Sequence, residues 1–241
     1  MTTDRTQTKR VAVLAPMRPE LKAVVRAFRL TRTHGDPVVS HRGSVGAWSV
    51  EAAIIGIGPG RAGPATERVL EQGTYDHVMV VGIAGGLDPA LPVGALMVPS
   101  RVRLYPDGPS FHASPLPGRS AAGGLMTTDG LFSDEDVWRP IQESGFGAVD
   151  MEAAAVAEAC EAAGVPWSVY RGISDRPDEH VVDQGVFALS KSDGSADLVA
   201  LTKYLAGDPR RAKMLAQLNR AMTLAATAAA EAAFSDVMAS G

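Results

Sequence analysis

Two carboxylates and an arginine near the ends of neighbouring predicted elements are the residues of this chain best placed to do chemistry. Glu152 opens an alanine-rich segment that Gly164 closes, a pattern typical of a helix, with Asp150 as the predicted N-cap. Arg171 lies in the strand-forming run that follows, and Asp175 ends it. Because ligands bind at the carboxyl edge of open α/β sheets, this arrangement predicts acid/base chemistry on a neutral, polyhydroxylated substrate.

Two glycine-rich runs offer bare backbone to a ligand. The first, 58–63, fits the G-x-G-x-x-G pattern of dinucleotide-binding turns. That pattern requires the next strand to end in an acid, but here the strand continues into the second run, Gly82-Ile83-Ala84-Gly85-Gly86. The first run is therefore interpreted as a tight turn with close helix packing, and the second as a place where a ligand approaches the main chain.

Predicted strands and helices alternate along the chain, which indicates one layered α/β domain. Residues 1–9 are predicted to be a disordered leader, residues 10–241 a single domain, and residues 105–124, rich in Pro, Gly and Ser, a loop. Strands are predicted at 11–15, at 37–42 and 46–55 with Gly43 at the turn between them, at 78–86, at 95–98, at a segment that begins at 125, and at 167–175. Helices are predicted at 20–28, at a segment that ends near Gly73, at one that begins near Ser133, at one that follows Glu152, and at one from Asp208 to about Phe234.

The composition narrows the function class. The 241 residues are 46% apolar and 21% charged, with a net charge of −4, so neither nucleic acid nor an anionic membrane is an expected partner. Five scattered histidines and the single Cys160 offer no metal-ligand spacing, so no metal is predicted. The N-terminal residues contain no apolar signal-peptide core, which favours a cytoplasmic location.

The chain resembles a known superfamily in three segments. Met151-Glu152-Ala153, followed about twenty residues later by Arg171-x-Ile-Ser-Asp175, resembles the purine nucleoside phosphorylase and nucleosidase superfamily, and most of all its branch of 5'-methylthioadenosine/S-adenosylhomocysteine nucleosidases. Pro16-Met17-Arg18-Pro19-Glu20 and the Gly82–Leu87 segment are similar to further motifs of that family. The resemblance covers roughly 10–100 and 125–180 and fails over 101–124 and 176–205, which suggests a divergent member, such as one acting on adenosine with a bulky 5' group.

This resemblance implies a fold and an assembly. The fold would be a three-layer α/β/α sandwich around a twisted mixed central sheet, as in nucleoside phosphorylases. The partner would be a small-molecule nucleoside, and no cofactor would be needed. The chain would form a homodimer in which the irregular 101–124 segment lies where a loop of each subunit closes the partner's 5' pocket.

The resemblance also implies roles for individual residues. Asp175 would protonate purine N7, Glu20 would activate the attacking water, and Arg171 would lie near the water and the sugar. Relatives often have a small polar residue where this chain has Ile83. The remaining substrate-binding residues would be Met17, Ile83, Ala84, Gly85, Leu131, Phe132, Met151, Glu152 and Ser174.

The expected reaction is hydrolysis of the N-glycosidic bond of a 5'-modified adenosine, releasing adenine. Phosphorolysis of a purine nucleoside is the first alternative, and a catalytically silent nucleoside-binding protein is the second. Single residues have structural alternatives too. Glu20 would stabilise a helix start, Arg171 would pair with Glu152 or Glu20, and Phe132 would be a core aromatic.

Overall fold

The computed structural model describes residues 8–130, 134–176 and 210–241. These residues form eleven strands and five helices in a mixed sheet with helices on both faces. The strands are β1 (Lys9–Ala15), β2 (Thr31–Arg32), β3 (His41–Val45), β4 (Trp48–Ile54), β5 (His77–Gly86), β6 (Leu96–Met97), β7 (Arg101–Leu104), β8 (Ser110–His112), β9 (Gly124–Thr127), β10 (Phe146–Asp150) and β11 (Trp167–Asp175). The helices are α1 (Arg18–Phe28), α2 (Pro59–Leu70), α3 (Glu135–Glu143), α4 (Ala153–Ala162) and α5 (Arg210–Ala239).

The strand order is β2-β3-β4-β1-β5-β10-β9-β7-β8, and β11 pairs with both β5 and β6. Strands β1, β5 and β11 are parallel to one another, so their carboxyl ends lie at one edge. The last two residues of β5, Gly85 and Gly86, also pair antiparallel with β10. The long strand β5 therefore links the parallel centre of the sheet to the β10–β9–β7–β8 part.

Alternating residues of the central strands pack against opposite helix layers. Ala12 and Leu14 of β1 belong to a core shared with α2 and α4, whereas Val11 and Val13 belong to a core shared with α1 and α5. Strands buried on both faces in this way are typical of parallel sheets between two helix layers. The three-layer α/β/α architecture is therefore as the sequence predicted.

Helix α1 forms because Leu21, Val24 and Phe28 recur at helical spacing, and all three are buried against the sheet. The helix ends at Arg29, which adopts a left-handed conformation with φ of 54°. Pro at the second helical position and Glu at the third are typical of a helix start. The start of α1 thus places Glu20 just beyond the carboxyl end of β1.

Several local predictions were wrong. Gly43 lies inside β3, where an added Cβ would come within 2.8 Å of the Leu30 side chain, and the turn lies at Gly46 with φ of 57°. The 105–124 segment is not only loop, because β8 forms there and pairs with β7. Strand β10 was not predicted, because it is short and contains a glycine. The stretch 176–205, over which the resemblance fails, lies outside the described residues except for Arg176.

Candidate active site

The predicted catalytic residues lie at one edge of the sheet. Glu20 follows β1, Ile83 and Gly85 end β5, and Asp175 ends β11, in register with Gly85. Their proximity follows from the parallel pairing of β1, β5 and β11. Met17 and Met151 lie half-buried beside this edge, and Ala84 is buried. Leu131 and Phe132 lie outside the described residues.

Arg171 is the centre of the site and is fully buried. Its Nε donates a hydrogen bond to Oδ2 of Asp150 over 3.1 Å, and its Nη2 donates to the same oxygen and to Oε2 of Glu152, the latter over 3.1 Å. Its Nη1 lies 3.8 Å from Oε1 of Glu20 and has no hydrogen-bond partner among the described residues. The ion pairs that the sequence offered as an alternative are present, and the NH2 group at Nη1 remains available to a ligand.

Glu20 does more than stabilise the start of α1. Its Oε2 accepts a hydrogen bond from the backbone amide of Met17 over 2.8 Å, the contact expected of a helix-start acid. Its Oε1 accepts another from the amide of Ile83 over 2.8 Å, which ties it to the end of β5. The main chain of Ile83 makes this contact, so the apolar side chain at this position does not disturb it.

Glu152 occupies the N-cap position of α4, so the sequence prediction that Asp150 is the N-cap was wrong by two residues. Its Oε1 accepts from the amide of Gly58 over 3.1 Å, and its Oε2 accepts from Arg171. Gly58 has φ of 89°, a backbone conformation that favours glycine. The first glycine-rich run therefore contributes a backbone donor to the site, which the sequence did not reveal.

Asp175 stands apart from the other acids. It is half-buried, and its Oδ1 accepts a hydrogen bond from the hydroxyl of Ser174, which also lies 3.3 Å from the carbonyl of Ala84. Its Oδ2 lies 3.7 Å from the position of a Cβ added at Gly85. Ser174, predicted to bind substrate, thus has its hydroxyl engaged in orienting Asp175.

Position 82 requires glycine because two side chains approach its Cα closely, and not because the chain turns there. A Cβ added there would overlap Oε1 of Glu20 and Nη1 of Arg171. The missing side chain is what allows the carboxylate and the guanidinium to meet above β5. The sequence showed the glycine but not which groups fill its space.

Burial and the ratio of charges shift the pKa values of the acids. Burial raises the pKa of Glu20 to about 7, against the opposing effect of the Arg171 charge. Burial also raises the pKa of Glu152, and the neighbouring charges of Asp150 and Glu20 add to that shift. Burial disfavours the charged form of Arg171, but the carboxylates of Asp150, Glu152 and Glu20 outweigh it and raise its pKa. Acids with raised pKa values at a sheet edge are typical of catalytic sites.

Two features bear on cofactors and membranes. Among residues 8–130, 134–176 and 210–241, no group of three or more His, Cys, Asp or Glu side chains is arranged to hold a metal ion. In the same part of the chain, no helix combines the length and the apolar character needed to cross a bilayer.

The family model of the phosphorylase superfamily matches residues 10–118 and 112–206. The chain belongs to this superfamily. Among curated relatives, the 5'-methylthioadenosine/S-adenosylhomocysteine nucleosidase of Exiguobacterium sp. is 30% identical over 197 residues, covering 68% of this chain and 84% of the relative. The enzyme of the same name from Shewanella frigidimarina is 27% identical over 199 residues, covering 69% and 86%.

Solved structures share the fold. A Neisseria meningitidis 5'-methylthioadenosine/S-adenosylhomocysteine nucleosidase in complex with methylthio-immucillin-A superposes with a TM-score of 0.69 at 18% identity, covering 96% of this chain and 99% of that one. A futalosine hydrolase of Helicobacter pylori gives the same TM-score and identity, covering 96% and 97%. The predicted superfamily and the nucleoside phosphorylase-like fold are both confirmed, as is the similarity to nucleosidases.

Proposed function

We propose that the protein hydrolyses the N-glycosidic bond of a 5'-modified adenosine and releases adenine. One observation supports this most directly. Nη1 of the buried Arg171 lies 3.8 Å from Oε1 of Glu20 and has no hydrogen-bond partner among the described residues. The similarity to nucleosidases supports the same reaction class.

Glu20 is suited to activate water. Its Oε1 and Nη1 of Arg171 are 3.8 Å apart, a separation at which one water oxygen can donate to the carboxylate and accept from the guanidinium. A pKa near 7 matches a base that works at neutral pH. In this assignment the water oxygen attacks C1' of the ribose, and Glu20 takes the proton that the water loses.

Asp175 is assigned as the general acid. As the bond between C1' and N9 breaks, Asp175 donates a proton to N7, so adenine leaves as a neutral base. Positive charge develops on the ribose as in other glycoside hydrolyses. The hydroxyl of Ser174, which donates to Oδ1 of Asp175, holds the carboxyl group in one orientation.

Glu152 is assigned to the ribose hydroxyls. Each of its oxygens already accepts one hydrogen bond inside the protein, from Gly58 and from Arg171. A carboxylate has about four acceptor positions, so two remain for the 2'- and 3'-hydroxyls. Ala84, Gly85, Met17 and Met151 are assigned to the remaining contacts with the substrate.

The charges favour water over phosphate as the nucleophile. A phosphorylase must hold a dianion beside the ribose, but the guanidinium of Arg171 is surrounded by the carboxylates of Asp150, Glu152 and Glu20. Arg18 and Arg61, the basic residues in the first turns of α1 and α2, lie at the surface. Hydrolysis is therefore the better supported reaction.

Adenine release from a set of 5'-substituted adenosines, measured with and without phosphate, tests the proposal. We expect the same rate in phosphate-free buffer and free sugar as the second product. A strict phosphate requirement with a sugar 1-phosphate product would establish phosphorolysis instead. Calorimetric binding of the same nucleosides without any release would identify a silent binding protein.

Assembly and location complete the proposal. We propose a homodimer in which the 101–124 segment, whose β7–β8 hairpin ends the sheet, closes the partner's 5' pocket, as the resemblance implies. Sedimentation at micromolar concentration should give twice the mass of the 25.1 kDa chain, and a monomer would contradict it. A cytoplasmic location fits the single, buried, free Cys160 and is tested by cell fractionation.

A further inference from the structure

Both carboxylate oxygens of Asp150 accept hydrogen bonds from other groups of the protein. Its Oδ2 accepts from Nε and Nη2 of Arg171 and from the amide of Ala153, the last over 3.0 Å. Its Oδ1 accepts from the hydroxyl of Thr127 over 2.6 Å. The side chain is only 1% exposed. A carboxylate held in this way is not positioned to contact a substrate, so any role in the reaction must act through its neighbours.

The hydrogen bonds to Asp150 determine the orientation of the Arg171 guanidinium. Two of its three nitrogens, Nε and Nη2, point to Asp150, which leaves Nη1 on the side of Glu20. A guanidinium is planar, so fixing one edge fixes the direction of the remaining N–H groups. Asp150 thereby orients the N–H group assigned to the water.

The same carboxylate also fixes the start of α4. Thr127 Oγ1 donates to Asp150 and accepts from the amide of Ala154 over 2.9 Å, while Asp150 accepts from Ala153. Glu152 is the N-cap residue of this turn. One buried pair, Asp150 and Thr127, therefore holds both Arg171 and the residue assigned to the ribose.

We propose that Asp150, supported by Thr127, is a positioning residue for hydrolysis: it orients Arg171 towards Glu20 and holds Glu152 at the ribose. This inference rests on the proposed function and deepens it. It adds a residue that sequence reasoning interpreted only as a helix cap.

The charge of Asp150 gives this role a measurable signature. The charged groups that face Glu20 are Arg171 from β11, Asp150 from β10 and Glu152 from the start of α4, and the amides of Met17 and Ile83 donate to it. Asp150 raises the pKa of Glu20. Removing its charge should lower that pKa directly, and also indirectly, because Arg171 is then free to pair more closely with Glu20.

The first test compares Asp150→Asn with Asp236→Asn. Asp236 is also a buried acid bound by an arginine, since it accepts from Nε of Arg119 over 2.8 Å and from the Tyr170 hydroxyl over 2.7 Å, but it lies away from the site. We expect Asp150→Asn to lower kcat/KM about 10²-fold, mostly through kcat, and to move the acid limb of the pH profile to lower pH. Asp236→Asn should lower stability without moving the acid limb. Equal effects of the two variants on kcat, or an unmoved acid limb, would overturn the proposal.

Thr127 provides a test if Asp150→Asn does not fold. Thr127→Ser keeps the hydroxyl and should retain activity within about twofold, whereas Thr127→Val removes it and should cost about tenfold in kcat. Equal activity of the two Thr127 variants would contradict the proposal.

A measurement without turnover separates this proposal from the proposed function. With ¹³C-labelled glutamate, the carboxyl signal of Glu20, assigned by its loss in Glu20→Gln, is titrated by NMR. We expect a lower midpoint in Asp150→Asn than in the parent, and no change in Asp236→Asn. An unchanged midpoint in Asp150→Asn would refute the influence of Asp150 on Glu20. If the parent releases no adenine, the proposed function fails while this result still stands.

Discussion

Near the amino end of β1, Glu51 accepts hydrogen bonds from Nη2 of Arg10 over 3.1 Å, from Nε of Arg42 over 2.9 Å and from the hydroxyl of Tyr75. These four residues form the Glu51 cluster. Beyond the carboxyl end of the same strand, Arg171 meets Glu20, Asp150 and Glu152, which together form the Arg171 cluster. One cluster has two cations for one carboxylate, and the other has one cation for three carboxylates.

The pKa values respond in opposite directions. Burial acts to raise the pKa of Glu51, but the Tyr75 hydrogen bond and the two arginines outweigh it and hold the pKa below its ordinary value. In the Arg171 cluster, burial dominates and raises the pKa of Glu20. A carboxylate with a surplus of partners stays ionised and structural, whereas Glu20, which shares one cation with two other carboxylates, has a pKa near neutral pH.

The largest expected effect is at Asp175. Asp175→Asn should lower adenine release about 10³-fold while leaving nucleoside binding nearly intact, because an amide keeps the shape but cannot donate the proton. Glu51→Gln, the matched change in the Glu51 cluster, should leave turnover unchanged. Steady-state kinetics and calorimetry check both variants, and turnover of Asp175→Asn within a few-fold of the parent would remove Asp175 from the general-acid role.

Glu20 should set the acid limb of the pH profile. In the parent, kcat/KM should rise with pH around a midpoint of about 7, because the base acts in its ionised form. Glu20→Gln should lower kcat about 10²-fold and abolish that limb. Glu51→Gln should keep it. A parent profile that is flat between about pH 5 and 8 would show that the ionisation of Glu20 does not control the reaction.

Gly82→Ala should damage the Arg171 cluster alone. The added methyl group would overlap Glu20 and Arg171, so the two must separate, at a cost of about 1–3 kcal/mol in stability and about 10²-fold in kcat. Gly60→Ala is the control, because no described residue apart from its chain neighbours and the adjacent backbone of α2 lies within 4 Å of a Cβ added at Gly60. Thermal unfolding and steady-state kinetics are measured for both variants. Equal losses of stability and kcat in Gly82→Ala and Gly60→Ala would contradict the packing argument.

The last expected effect is on stability as a function of pH, and it involves no loss of turnover. Because the folded pKa of Glu20 is raised, the folded state binds more protons than the unfolded state between pH 4.5 and about 7, so its unfolding free energy should fall by about 3 kcal/mol as pH rises through that window. Glu20→Gln should reduce this slope, with Glu152 supplying the remainder.

Glu51 should behave in the opposite sense. Its lowered pKa contributes stability above its ordinary value of 4.5, and that contribution is lost as pH falls through the lowered pKa. Denaturant unfolding from well below pH 4 up to pH 8 measures both slopes. A steeper slope in Glu20→Gln than in the parent would contradict the assigned direction.

Local patterns in the sequence determined several helices and strands and the family. Apolar spacing at Leu21, Val24 and Phe28 predicted α1, continuous apolar runs predicted β1 and β5, and the Met151-Glu152 and Arg171-x-x-x-Asp175 motifs identified the family and the sheet edge. These signals lie within one or two neighbouring elements, where periodicity and motif spacing are sufficient.

Only the tertiary structure decided which groups meet. The role of Asp150 depends on Arg171, 21 residues away, and the position of Glu152 depends on the amide of Gly58, 94 residues away. The meaning of Gly82 depends on side chains from α1 and β11 that fill its space. The pKa of Glu20 follows from burial and from charges on two other elements, and these are long-range quantities that residue types and spacing do not contain.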